Sequence, residues 1–277
     1  MDAPPSPLVS AAELLRRLHE VVLLDARAGG RAAFDAGHLP GARYVDLERD
    51  LAGPAEAPER GGRHPLPSLP GLCARLGRWG IGPDTEVVVY DAEGGGNAAA
   101  RAWWMLRALG HRNVRVLDGG LPAALEAGIA LETEERTPTP MGAYPAASWL
   151  APLADIDRVD QVRRDPSFVV LDVRSAARFA GDAEPIDPIA GHIPGAVNAF
   201  WGDALDATGR FKAPEDLRRS LGAVLRGVPP ERRIVHCGSG VTACHTLLAL
   251  EHAGLGGAAL YVGSWSEWCR SGRERAP

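Results

Sequence analysis

Short apolar runs without polar alternation recur along this chain: Val21-Val22-Leu23-Leu24, Val87-Val88-Val89-Tyr90, Phe168-Val169-Val170-Leu171 and Ile234-Val235-His236. Their length suits strands, and continuous hydrophobicity is the mark of a parallel sheet whose two faces are both covered by helices. Between the runs lie segments with helical character, such as Thr242 to His252, closed by Gly254. The pattern predicts an α/β fold built on parallel sheets covered by helices on both faces.

The pattern is written twice. Val21-Val22-Leu23-Leu24-Asp25-Ala26-Arg27 corresponds to Phe168-Val169-Val170-Leu171-Asp172-Val173-Arg174, and Ala36-Gly37-His38-Leu39-Pro40-Gly41-Ala42 to Ala190-Gly191-His192-Ile193-Pro194-Gly195-Ala196. Val87-Val88-Val89-Tyr90-Asp91 then matches Arg233-Ile234-Val235-His236-Cys237, and Leu117-Asp118-Gly119-Gly120 matches Tyr261-Val262-Gly263-Ser264. The offsets are 172−25 = 147, 192−38 = 154, 237−91 = 146 and 263−119 = 144. Four blocks in one order imply a tandem duplicated domain. The expected division is residues 1–135, a linker at 136–150 carrying Pro138, Pro140 and Pro145, and residues 151–277. A second Pro/Gly-rich stretch, Gly53 to Pro70, contains Gly61-Gly62-Arg63-His64-Pro65 and reads as a surface loop of the first copy.

At 277 residues and 45% hydrophobic content the chain can bury one ordinary core per copy. Thirty basic and thirty-five acidic residues give a net charge of −5, with no basic block to bind nucleic acid. No stretch approaches the roughly 18 apolar residues of a membrane span, and Met1-Asp2-Ala3-Pro4-Pro5 lacks the features of a signal peptide. The four cysteines, at 73, 237, 244 and 269, show no metal-binding spacing and suit a reducing cytoplasm. Neither a metal nor a cofactor is implied.

One of those cysteines stands at the end of an apolar run and before a glycine-rich turn: His236-Cys237-Gly238-Ser239-Gly240-Val241-Thr242-Ala243-Cys244. Gly238 and Gly240 are expected to allow φ > 0, so that successive N–H groups point inward. Together with the positive end of the following helix, such amides favour a thiolate over a thiol, which marks Cys237 as a nucleophile. Where the second copy has Cys237 the first has Asp91, so cysteine chemistry belongs to one copy only. A cysteine phosphatase would carry an arginine at the position of Ala243 to grip a phosphoryl dianion, and its absence argues against that chemistry.

The duplicated halves, the two Ala-Gly-His-(Leu/Ile)-Pro-Gly-Ala blocks, the segment Arg101 to His111 and the loop Cys237 to Thr242 together resemble the two-domain rhodanese sulfurtransferases over almost the whole chain. The resemblance implies tandem rhodanese-like domains, the first noncatalytic, and a ping-pong reaction through a Cys237 persulfide. Donor sulfur passes to a thiol or cyanide acceptor, and a thioredoxin-like protein is one expected source of the thiol. Within the family the neutral pair Gly238-Ser239 is similar to the loop of members that use 3-mercaptopyruvate, whereas thiosulfate-preferring members carry basic residues there. Ser239 is expected to act with Cys237 in catalysis by addressing the donor's carbonyl. The loop residues Gly238, Gly240, Val241 and Thr242 would hold the donor with Arg178, which matches a family arginine, and His38, which matches a histidine relaying onto the loop serine. A second family arginine follows a Glu-Pro pair; this chain reads Glu184-Pro185-Ile186-Asp187 and lacks it. The alternatives are a thiosulfate:cyanide sulfurtransferase and a noncatalytic double module that binds anions or partner proteins. The intact cysteine favours an enzyme.

Overall fold

The computed structural model describes residues 6–96 and 98–277; Met1 to Pro5, read above for targeting signals, lie outside the described residues. The chain forms two compact units. One holds the residues up to Leu51, Pro67–Leu150 and Leu205–Phe211; the other holds Ala52–Leu66, Ala151–Ala204 and Lys212–Pro277.

In the first unit the strands β1 (Leu8–Val9), β2 (Val22–Asp25), β3 (Arg43–Tyr44), β4 (Val87–Tyr90) and β5 (Val114–Leu117) form a parallel sheet in the order β1-β5-β4-β2-β3. In the second unit β6 (Leu153–Ala154), β7 (Val169–Asp172), β8 (Val197–Asn198), β9 (Arg233–His236) and β10 (Ala259–Tyr261) repeat it as β6-β10-β9-β7-β8. Both sheets are flanked by helices, which explains the unalternating strands: all four residues of β4, β7 and β9 are buried. Each unit is therefore a parallel α/β fold, and the two are built on one plan.

The register carries the duplication to single residues. Asp25 pairs with Tyr90 across β2 and β4, and Asp172 with His236 across β7 and β9. At these strand ends the first unit closes a buried cluster in which Tyr90 donates to Asp25 at 2.7 Å and Arg27 grips the same carboxylate, also at 2.7 Å. The second unit keeps the pair, Arg174 to Asp172 at 2.6 Å, and replaces the tyrosine by His236.

The proline-rich stretch 136–150 lies along the first unit. The N–H groups of Met141, Tyr144 and Leu150 donate to the carbonyls of Gly77, Cys73 and Ala108 at 2.8, 2.9 and 2.6 Å. The segment 52–66 departs most from expectation. It packs with the second unit, where Gly61 donates to the Glu267 carboxylate at 2.8 Å and Arg63 N–H to Ser266 Oγ at 3.0 Å. Gly62, at φ +79°, has no room for a side chain because a Cβ would run into the carbonyl of Gly263.

Candidate active site

Cys237 follows directly on β9 and is 1% exposed. The Gly240 N–H donates to its Sγ at 3.1 Å, a contact that serves negative charge on sulfur. Gly240 sits at φ +77°, and a Cβ there would lie 2.5 Å from the Val262 carbonyl oxygen, so this position is closed to side chains twice over. Gly238 differs from expectation: its φ is not positive, and what it provides is space. A Cβ on Gly238 would stand 3.3 Å from Arg178 Nη2 and 3.4 Å from Arg63 Nη2.

The helix Thr242–His252 starts directly after the loop, with Val241 as its N-cap, and directs its positive end toward Cys237. Val241 is buried and Thr242 half-buried. The helix ends as expected at Gly254 (φ +71°), where Leu255 N–H returns to the Leu250 carbonyl at 2.8 Å. Cys244 is fully buried with its Sγ 3.4 Å from the Gly240 carbonyl, and it fastens the loop to the helix.

Ser264 is a positioning residue that pattern reading does not reveal. Its backbone is left-handed at φ +53°, uncommon for a residue other than glycine, and its Oγ accepts the Cys237 N–H at 3.2 Å. The next two amides, Trp265 and Ser266, donate to the carbonyls of Cys237 and Gly238 at 3.0 and 2.8 Å. The matching residue of the first copy is Gly120 at φ +59°, so the second unit tolerates a strained serine where a hydroxyl holds the nucleophile's amide.

The imidazole that meets Ser239 is His64, from the segment 52–66: its Nδ1 lies 2.7 Å from Ser239 Oγ. His38 does not fill that role. It is fully buried in the first unit, donates from Nδ1 to the Phe34 carbonyl at 3.0 Å, and stacks on the Phe34 ring at 3.8 Å. His192 does the same in the second unit, with the Phe179 carbonyl at 2.9 Å and the Phe179 ring at 3.9 Å. Both backbones bridge to a distant segment, His38 to Glu132 and His192 to Ala276. A histidine that recurs with identical contacts in both copies holds a turn.

Arg178, on the short helix Ala176–Phe179, reaches the nucleophile loop and is braced by Glu184 through Nε at 3.1 Å and Nη2 at 2.7 Å. Glu184 also pairs with Arg174 at 3.1 Å, and Arg174 with Asp172, so alternating charges run from the sheet core to the loop. Ile186, at the position of the missing family arginine, is 56% exposed. Burial opposes the charge on Asp172, but the His236 imidazole and the Arg174 guanidinium overcome it and hold the carboxyl below the usual carboxylate range. At Glu184 burial is likewise outweighed, here by the Arg178 hydrogen bond first. Burial pushes His236 down against the pull of Asp172.

These depressed carboxyls fix a pH dependence. A carboxyl lowered on folding adds stability above its unfolded pKa near about 4, and that stability is lost as pH falls through the lower folded value. The urea midpoint is therefore expected to drop between about pH 5 and pH 3, and to drop less in Glu184→Gln, which lacks one of these titrations. Equal acid slopes in the two proteins would exclude Glu184 as a contributor.

The first unit builds the same turn around a carboxylate. Asp91 Oδ1 accepts the N–H groups of Glu93 at 2.9 Å and Gly95 at 2.8 Å, and Oδ2 that of Ala99 at 3.3 Å. Leu121 N–H donates to the Asp91 carbonyl at 2.8 Å, as Trp265 does to that of Cys237.

A duplicated parallel α/β unit with a cysteine cradled in one strand-end loop defines a class, and the chain belongs to it: the model of the rhodanese-like domain family matches residues 10–127 and 155–271. A probable 3-mercaptopyruvate sulfurtransferase of Pseudomonas aeruginosa is 44% identical over 270 residues, 94% of this chain and 94% of that protein. The mouse thiosulfate sulfurtransferase is 36% identical over 256 residues, 89% of this chain and 81% of that one. Among solved structures, the 3-mercaptopyruvate sulfotransferase SseA of Escherichia coli superposes with a TM-score of 0.78 at 31% identity, covering 94% of this chain and 99% of its own. Among the described residues no helix is long and apolar enough to cross a membrane.

Proposed function

We propose that this protein is a sulfurtransferase that takes sulfur from 3-mercaptopyruvate onto Cys237 and delivers it to a thiol or cyanide acceptor. The Cys237 thiolate attacks the donor sulfur, an S–S bond forms, and the S–CH2 bond breaks with its electron pair passing to carbon as the enolate of pyruvate. The proton lost from the donor thiol balances the one that converts enolate to pyruvate. Attack of cyanide on the outer sulfur of the persulfide then yields thiocyanate and restores the thiolate; a small thiol or a thioredoxin-like dithiol receives the sulfur in the same way.

The observation that carries the choice of donor is the 2.7 Å contact between Ser239 Oγ and His64 Nδ1 beside the nucleophile. An α-keto acid donor develops charge on its carbonyl oxygen as the C–S bond breaks, and a hydroxyl backed by an imidazole donates to that oxygen and passes a proton. Thiosulfate releases sulfite, a dianion that needs cations more than a proton. Gly238 and Ser239 are neutral where such cations would follow the cysteine. Names of both kinds occur among the relatives, so the deciding experiment is a side-by-side measurement with cyanide as acceptor. The expected result is a larger kcat/KM for 3-mercaptopyruvate; a larger value for thiosulfate would make the alternative the correct assignment.

A further inference from the structure

Two guanidinium groups, from distant parts of the sequence, converge on the residue after the nucleophile. Arg178 spends Nε and Nη2 on Glu184, while its Nη1 donates to no described residue. Arg63 pairs through Nη1 with Asp187, while its Nη2 donates to no described residue. A Cβ built on Gly238 would touch Nη1 of Arg178 and Nη2 of Arg63, each at 3.4 Å. The two unused nitrogens thus flank one point above the loop, and only a glycine leaves that point open.

A buried carboxylate holds the pair in place. Asp187 binds Arg63, accepts from Arg270 Nη1 at 3.0 Å, and lies 3.6 Å from Arg178 Nη2. Its side chain is fully buried, while those of Arg63 and Arg178 keep 22% and 18% exposure. Counting Glu184 and Asp172 with Asp187, four arginines (Arg63, Arg174, Arg178 and Arg270) meet three carboxylates, which leaves one positive charge in excess beside the loop. Arg63 is brought to this cluster by the segment 52–66, whose path is pinned by Gly61 to Glu267 and by the Arg63 N–H to Ser266.

We infer that Arg63 is the second cation for the donor's carboxylate, replacing the arginine missing at Ile186, so that Arg63 and Arg178 hold the α-keto acid between them while Ser239 addresses its carbonyl. This assignment rests on the proposed donor. It accounts for Gly238 as a positional requirement, and it places both the imidazole and the second guanidinium of the site on adjacent residues, Arg63 and His64, of one segment.

The test compares wild type, Arg63→Ala, Arg63→Lys and Arg178→Ala in steady-state transfer from 3-mercaptopyruvate to cyanide, with the inhibition constant of pyruvate as a binding readout independent of turnover. Arg63→Ala is expected to raise both the KM for 3-mercaptopyruvate and the inhibition constant of pyruvate by about 10- to 100-fold, the range of one charge-assisted contact, with kcat reduced much less. Arg63→Lys keeps the charge beside Asp187 and is expected to recover only part, because a point charge does not reproduce the fork. Arg178→Ala should match Arg63→Ala in direction. An Arg63→Ala enzyme with KM and pyruvate inhibition within twofold of wild type, or a fall in kcat alone that Arg63→Lys fully restores, would overturn the assignment and leave the functional reading intact. A wild-type enzyme that takes no sulfur from 3-mercaptopyruvate would overturn both.

Discussion

Cys237→Ser is expected to reduce sulfur transfer to background with either donor while the thermal transition stays close to that of wild type. A serine hydroxyl is a far weaker nucleophile near neutral pH and cannot hold a persulfide, and loss of a covalent nucleophile removes activity on the order of 10⁴-fold or more. Among the described residues the buried thiol makes one hydrogen bond, with the Gly240 amide, and an oxygen accepts the same hydrogen bond, so the loop keeps its shape. Intact-mass measurement supplies the chemical check. Wild type treated with donor should gain one sulfur, about 32 Da by atomic mass, and lose it to cyanide; Cys237→Ser should gain nothing. Substantial transfer by the serine variant would remove Cys237 from the mechanism.

Loss of the hydroxyl and imidazole pair is expected to separate the two donors. His64→Ala and Ser239→Ala should each lower kcat/KM for 3-mercaptopyruvate by roughly 10²- to 10³-fold, within the usual range for positioned proton transfer, and change thiosulfate turnover only a few-fold. Because the two groups stand 2.7 Å apart and act on one oxygen, the double variant should lose little more than either single one. Equal losses with both donors would assign the pair to shaping the loop.

What the sequence makes legible follows from how locally each feature is encoded. The strands are visible because both faces of each sheet are covered, and observed bounds such as Val22–Asp25 and Val169–Asp172 lie within one residue of the apolar runs. Cys237, Gly240 and the helix ended by Gly254 are visible because turn chemistry is contained within about a dozen neighbouring residues. The partners of that loop are set by tertiary structure. His64 stands 175 residues before Ser239 in the sequence, in a Pro/Gly-rich stretch that composition assigns to a surface loop of the first copy. The duplication also misdirects: His38 has a family precedent and an attractive motif, yet its twin His192 makes the same contacts in the other unit. Ser264 escapes notice because its signal is a backbone angle, which no residue pattern announces at a non-glycine position.

The carboxylate of Asp91 gives the first unit a different fate from simple loss of activity. Three inward amides are already satisfied by a charge the chain carries itself, so this turn is saturated with its own anion in every molecule. A titration with donor, product or sulfite should therefore count a single anion site per chain. An Asp91→Cys substitution would vacate the first turn rather than duplicate the second. It would place a thiol beside a tyrosine in place of a histidine, with no serine hydroxyl at Gly120 to hold its amide. Duplication here has left one copy whose turn serves a reactive sulfur and one whose turn is filled by a side chain of its own.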